Sequence, residues 1–143
     1  MGRFRTWHGL AGALVSAVLS PCAFGAEPAK GPAAKVSYYR QVLPIFRARC
    51  HGCHQPAKAE GGYVMTDFAK LLAGGDASGP AVVTGKPDTS PLLEMVTPHG
   101  GKAKMPRGQK PLADAELALI RRWVAEGAAD DAPASVQTGL PYA

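Results

Sequence analysis

Phe46-Arg47-Ala48-Arg49-Cys50-His51-Gly52-Cys53-His54 is the stretch on which the rest of the chain turns. Residues 50–54 spell C-x-x-C-H, a spacing with a specific chemical reading. Two thiols about one helical turn apart can add to the two vinyl groups on one edge of a haem, and the next residue then projects its imidazole under the iron. Cys50 and Cys53 are therefore the expected thioether sites and His54 the proximal iron ligand, for one covalently attached haem c per chain. Gly52 is expected to leave room for the ring. The same two thiols also fit a zinc half-site or a thiol redox pair. Zinc needs further ligands at a sensible spacing, for which His54 and His99 are available. A thioredoxin-like pair opens a helix that follows a strand, and no strand pattern precedes Cys50.

An iron held by His54 has a sixth position, for which Met65, Met95, Met105 and His99 are the candidates. Met95 falls on an expected helix with Leu92 and Val96, where filling the core is the simpler role. Met105 sits instead in a Gly/Lys/Pro loop, directly before Pro106, and a loop of that kind readily delivers one thioether to a metal. Met105 is the preferred distal ligand, with His99 or an open position as the alternatives. Lys102, Lys104, Arg107 and Lys110 surround it, with no acid between His99 and Pro111. They form either an ordinary solvated loop or a positive rim that steers an acidic redox partner.

Working outward, Ser37 can cap a helix whose apolar residues Tyr38, Val42, Ile45 and Phe46 share one face and which ends at Cys50. Pro44 should kink that helix or restart it at Ile45. Shorter helices are expected over Asp67 to Leu72, capped by Thr66, and over Pro91 to Val96, capped by Ser90. Asp114 to Glu126 keeps helical spacing through Leu117, Ile120 and Val124, ends at Gly127, and has Trp123 at the edge of its apolar face. Nothing alternates convincingly enough for a sheet. The expected class is a small all-α fold in which short helices and long Gly/Pro loops wrap one haem, because loops this long need something to organise them.

The first residues read as a secretory signal over 1–25: Arg3 and Arg5 precede the short apolar run Leu10 to Leu19. That run is too brief to span a bilayer, so no transmembrane segment is expected in the mature chain. Residues 26–35 read as a flexible lead-in, 36–129 as the folded domain and 130–143 as a flexible tail. A lipid anchor at Cys22 is disfavoured by Pro21, which stands where a small residue is wanted. The mature thiols are then Cys50 and Cys53, and export to the periplasm fits their need for dedicated haem-attachment machinery. Losing Arg3 and Arg5, with no acid among residues 1–25, takes the net charge from +5 to about +3. A nucleic-acid partner has little support from so modest a charge and so few aromatic residues.

The helix before CHGCH, the Met-Pro loop and the closing LADAELALIRRWVAEGA together resemble class I cytochrome c domains, and particularly the planctomycete-type cytochrome c branch, over Val36 to Ala129. GDASGPAVVTGKPDTSPLLEMV is similar to that branch's loop and short helix. The resemblance implies a cytochrome c-like fold, Cys50 and Cys53 as thioether sites, and His54 and Met105 as axial ligands. It also implies that Phe46 packs on the terminal helix near Trp123. Arg107 stands where the branch often has a second Pro after Met-Pro. The function so implied is single-electron transfer, with no catalytic residue. The alternatives are an electron-entry module of a larger oxidoreductase, or a haem peroxidase or sensor if the sixth position is open.

Overall fold

A computed structural model describes residues 34–137, apart from the side chains of Ser135 and Gln137. The signal segment 1–25 with Cys22, the lead-in up to residue 33 and residues 138–143 lie outside the described residues.

Ser37 opens the first helix as its residue type requires: its hydroxyl accepts the Arg40 N–H at 3.0 Å. Tyr38–Val42 form a π-helical turn that passes directly into α1, Leu43–Arg49. Pro44 accounts for the join, since a residue without an N–H is tolerated in the first turn of a helix. The α-helical geometry accordingly starts at Leu43, two residues earlier than expected. After α1 the chain turns tightly, with the N–H groups of Cys53 and His54 both donating to the Cys50 carbonyl, at 3.1 and 3.0 Å.

His54–Gln55 (β1) then pairs antiparallel with Lys58–Ala59 (β2), His54 opposite Ala59. The fold is thus small and mostly helical but carries a two-stranded sheet that an all-α class leaves out. Strands of two residues are too short to show alternation, so the sequence holds no periodic signal for them.

Helix α2 spans Phe68–Ala73, and its cap is Asp67 rather than Thr66: the Asp67 carboxylate accepts the Lys70 N–H at 2.9 Å. Helix α3 spans Pro91–Val96, with Pro91 in its first turn as expected. Ser90 is its N-cap residue, as expected, but its side chain makes no capping bond. Its buried hydroxyl accepts from the Val83 N–H and donates to the Lys86 carbonyl, both at 2.9 Å, and so ties down the loop that enters α3. Helix α4 spans Asp114–Ala125, where Glu116 reaches back to accept the Ala113 N–H at 2.8 Å. A short α5 covers Ala134–Gln137. Among the described residues no helix is long and apolar enough to cross a membrane.

Trp123 lies at the centre of the core, not at its edge, with 1 % of its surface exposed. Its ring stacks on Tyr38 at 5.4 Å between centroids and meets Phe46 and Phe68 edge-on at 6.2 Å each, while its indole N–H donates to the Ala129 carbonyl at 2.9 Å. The Phe46 contact with α4 is the one the resemblance implies. A helical wheel puts Trp123 at the rim of the Leu117/Ile120/Val124 face. The π-helical turn carries Tyr38 across to cover that rim.

Three polar contacts fasten the two ends of the domain together. The Glu126 carboxylate accepts the Val36 N–H at 2.6 Å, the Asp131 carboxylate accepts the Tyr39 N–H at 2.8 Å, and the Arg122 guanidinium donates to the Ala34 carbonyl at 2.5 Å. The Val36 N–H and then Arg122 hold the Glu126 carboxyl below the ordinary range. Burial pushes the Asp131 carboxyl up, but hydrogen bonds from Ser37 and Tyr39 outweigh it and bring the group down. Asp131 and the buried Ala132 therefore pack on the fold, although the sequence reading puts them in the tail.

Candidate haem-binding cavity

A cavity of about 480 Å³ with a mostly apolar lining opens beside the core. Five short segments build it. The end of α1 and the turn after it bring Arg49, Cys50, Cys53 and His54. Residues 58–65 bring Lys58, Tyr63 and Met65, the glycine-rich loop 74–81 closes one side, α3 adds Pro91, Leu92, Met95 and Val96, and the loop 105–109 adds Met105 and Arg107. Glycine is required where two of these segments touch. A Cβ at Gly75 would lie 2.2 Å from the Gly61 carbonyl oxygen, the same atom that accepts the Asp76 N–H at 2.8 Å.

All four residues expected to hold a cofactor thus line one cavity, from segments about fifty residues apart in the chain. Cys50 and Cys53 are both free thiols. Burial pushes the Cys50 thiol up to about 12, against the lowering effect of Arg49, so the folded chain keeps it neutral. The Lys58 ammonium stands 3.7 Å from the Cys53 sulfur and 3.3 Å from Glu60. The His54 ring packs on Tyr63 at 5.3 Å, its Nδ1 is buried without a hydrogen-bond partner among the described residues, and its backbone carbonyl accepts the Met65 N–H at 2.8 Å. Tyr63 is itself fixed, donating its hydroxyl to the Leu71 carbonyl at 2.7 Å, and burial holds its phenol well above the usual range. Gly52 is not part of the lining, and a Cβ there would meet nothing within 4 Å.

Of the four candidates for the sixth position, three line the cavity and one does not. His99 is exposed, in a turn where it pairs with Lys102, and does not reach the cavity. Met65 lines the cavity but is a core residue at 2 % exposure. Met95 is not the core filler expected: it is 39 % exposed and stands in the cavity wall. Met105 is partly buried against the core, and its N–H donates to the Met95 carbonyl at 2.9 Å, which ties its loop to α3.

The cations around Met105 are less uniform than the sequence suggests. Lys104 pairs with Glu94 at 2.7 Å and holds that carboxyl below its ordinary range. The exposed pair adds little stability, but it cancels one positive charge. Lys102, Arg107 and Lys110 are exposed. The sequence reading missed Arg49, Lys58 and Tyr63 as cavity residues. Only Arg49 carried a signal, its position next to Cys50.

The donor set fits a covalently held haem. An apolar cavity of this volume lies within the range of small-molecule and cofactor sites, two free thiols stand on its wall next to an imidazole, and a thioether enters from a separate loop. The zinc alternative finds no support, since no three His, Cys, Asp or Glu side chains among the described residues converge on a metal position.

No curated protein and no solved structure matches the chain. Residues 50–108 match the family model described as planctomycete cytochrome C, a family that implies a haem c cofactor. This match begins at the first thiol, ends just beyond Met105, and takes in the whole cavity wall except Arg49 and Gln109. Over residues 50–108 the chain is therefore similar to planctomycete-type cytochrome c domains.

Proposed function

We propose that the domain is a single-electron carrier with a cytochrome c fold, its haem tied by Cys50 and Cys53 and its iron held between His54 and Met105. The observation that carries this reading is the meeting of both thiols, the imidazole and the Met105 thioether in one apolar cavity. A haem bound in this way exchanges one electron at its iron, and a His/Met pair raises its reduction potential. The chain's own residues supply the rest. Tyr63 orients the His54 ring, the Leu92 and Val96 side of α3 keeps water from the cavity wall, and the tie between Met105 and Met95 limits how far the distal loop can move.

Spectra of the holoprotein, made in a host with haem-attachment machinery, test the ligand set. Met105→Ala is expected to lose the weak far-red band of ferric Met-ligated haem and to gain cyanide binding at least roughly tenfold faster, because the sixth position opens. A variant with the wild-type band would exclude Met105 as ligand. Fast cyanide or peroxide binding by the unaltered ferric protein would favour a peroxidase or sensor.

The same reading includes export to the periplasm, where attachment machinery acts on the unfolded chain, and docking of an acidic redox partner at the rim formed by Lys102, Arg107 and Lys110, together with Lys104, whose charge Glu94 offsets. Charge reversal at Lys102 and Lys104 is expected to slow reduction by an acidic electron donor roughly tenfold at low salt, with the difference closing as salt rises. Equal rates and equal salt dependence for the two proteins would remove the docking role.

A further inference from the structure

Residues 97–113 contain no helix or strand apart from the His99–Lys102 bridge, yet they carry the thioether that has to stand over the cavity. A loop of this length holds a side chain in place only if it is pinned on both sides. On the near side the pin is the bond from the Met105 N–H to the Met95 carbonyl. The neighbouring Lys104–Glu94 pair is exposed and a weak restraint. On the far side Arg49 supplies the pin, its Nη2 donating to the Lys110 carbonyl at 2.6 Å and to the Pro111 carbonyl at 3.1 Å.

We infer that Arg49 is a positioning residue for the distal ligand, clamping the Met105 loop to the segment that carries Cys50. The inference rests on the His54/Met105 ligation proposed above. Three features of Arg49 make it suited to the task. It is the last residue of α1, directly before Cys50, so it is anchored in the wall that bears the thiols. Its bonds are charge-assisted, about twice as strong as neutral ones, and the flat guanidinium is pre-organised to hold two acceptors at once. Its Nε–H is buried and finds no acceptor among the described residues, so the two carbonyls set the orientation of the fork. Between the two pins lie only Pro106 to Gln109, which leaves the Met105 side chain little play.

The test uses the holoprotein with Arg49→Met, Arg49→Gln and Arg49→Lys, each compared with the unaltered chain for covalent haem content, far-red band intensity and the rate at which imidazole enters the ferric iron. Arg49→Met is expected to keep its covalent haem, to bind imidazole at least tenfold faster and to show a weaker far-red band. Arg49→Lys, which keeps the charge and one donor direction, is expected to recover part of both. Should Arg49→Met fail to fold, Arg49→Gln and Arg49→Lys decide by the same readouts. Wild-type imidazole rates and band in the folded variants would overturn the clamp while leaving the ligand set standing. A missing far-red band in the unaltered protein would overturn both.

Discussion

With both thiols removed, as in Cys50→Ala/Cys53→Ala, all haem is expected to pass into acid acetone and the cooperative thermal transition to disappear. The thiols line a cavity of about 480 Å³. Without a filling group that largely apolar wall faces water instead of a packing partner, and a domain of this size has little other apolar surface to bury. Five separate segments form the wall, three of them loops rich in Gly or Pro, so there is little to hold the wall in place once the central group can leave. Each single variant keeps one tie and is expected to retain haem under acid extraction, with a shifted reduced spectrum. Haem that resists extraction from the double variant would show that neither thiol carries it. A sharp thermal transition in the haem-free double variant would show that the helices and loops need no cofactor to fold.

What the sequence made legible follows from the range over which each signal acts. C-x-x-C-H is a local motif whose chemistry needs no tertiary context, and by spacing alone it points to Cys50, Cys53 and His54, which line one cavity. The helices over 91–96 and 114–125 were equally plain, since Pro91, Gly127 and the apolar period of α4 are signals within one or two turns. Met105 stood out by its Lys/Gly/Pro loop, and it does line the cavity, although its side chain also packs against the core. Other features depend on contacts between distant residues. Ser90 stands at the cap position but its hydroxyl binds Val83 and Lys86, Met95 looks like core but stands in the cavity wall, and Glu94 neutralises Lys104 from another element. Arg49 and Tyr63 are the clearest cases, because each acts through backbone carbonyls, at Lys110, Pro111 and Leu71, and a carbonyl has no sequence identity to read.

The remaining large effect is expected in the core behind the cavity. Trp123→Ala removes the ring that Tyr38, Phe46 and Phe68 all pack against, together with the donor that satisfies the Ala129 carbonyl. Loss of so large a buried aromatic costs about 3–5 kcal/mol, and for a domain of this size each kcal/mol lowers the midpoint by roughly 4–8 °C. A fall of about 15 °C or more in the thermal midpoint of the holoprotein is therefore the expected outcome. The effect should reach the cavity as well. Phe46 stands four residues before Cys50 on α1, so loosening its contact with α4 frees the helix that positions both thiols and Arg49. Trp123→Phe fills much of the volume but has no indole N–H, and it should fall between the two. A midpoint for Trp123→Ala within a few degrees of the unaltered protein would mean that the haem, and not this aromatic cluster, carries the cohesion of the domain.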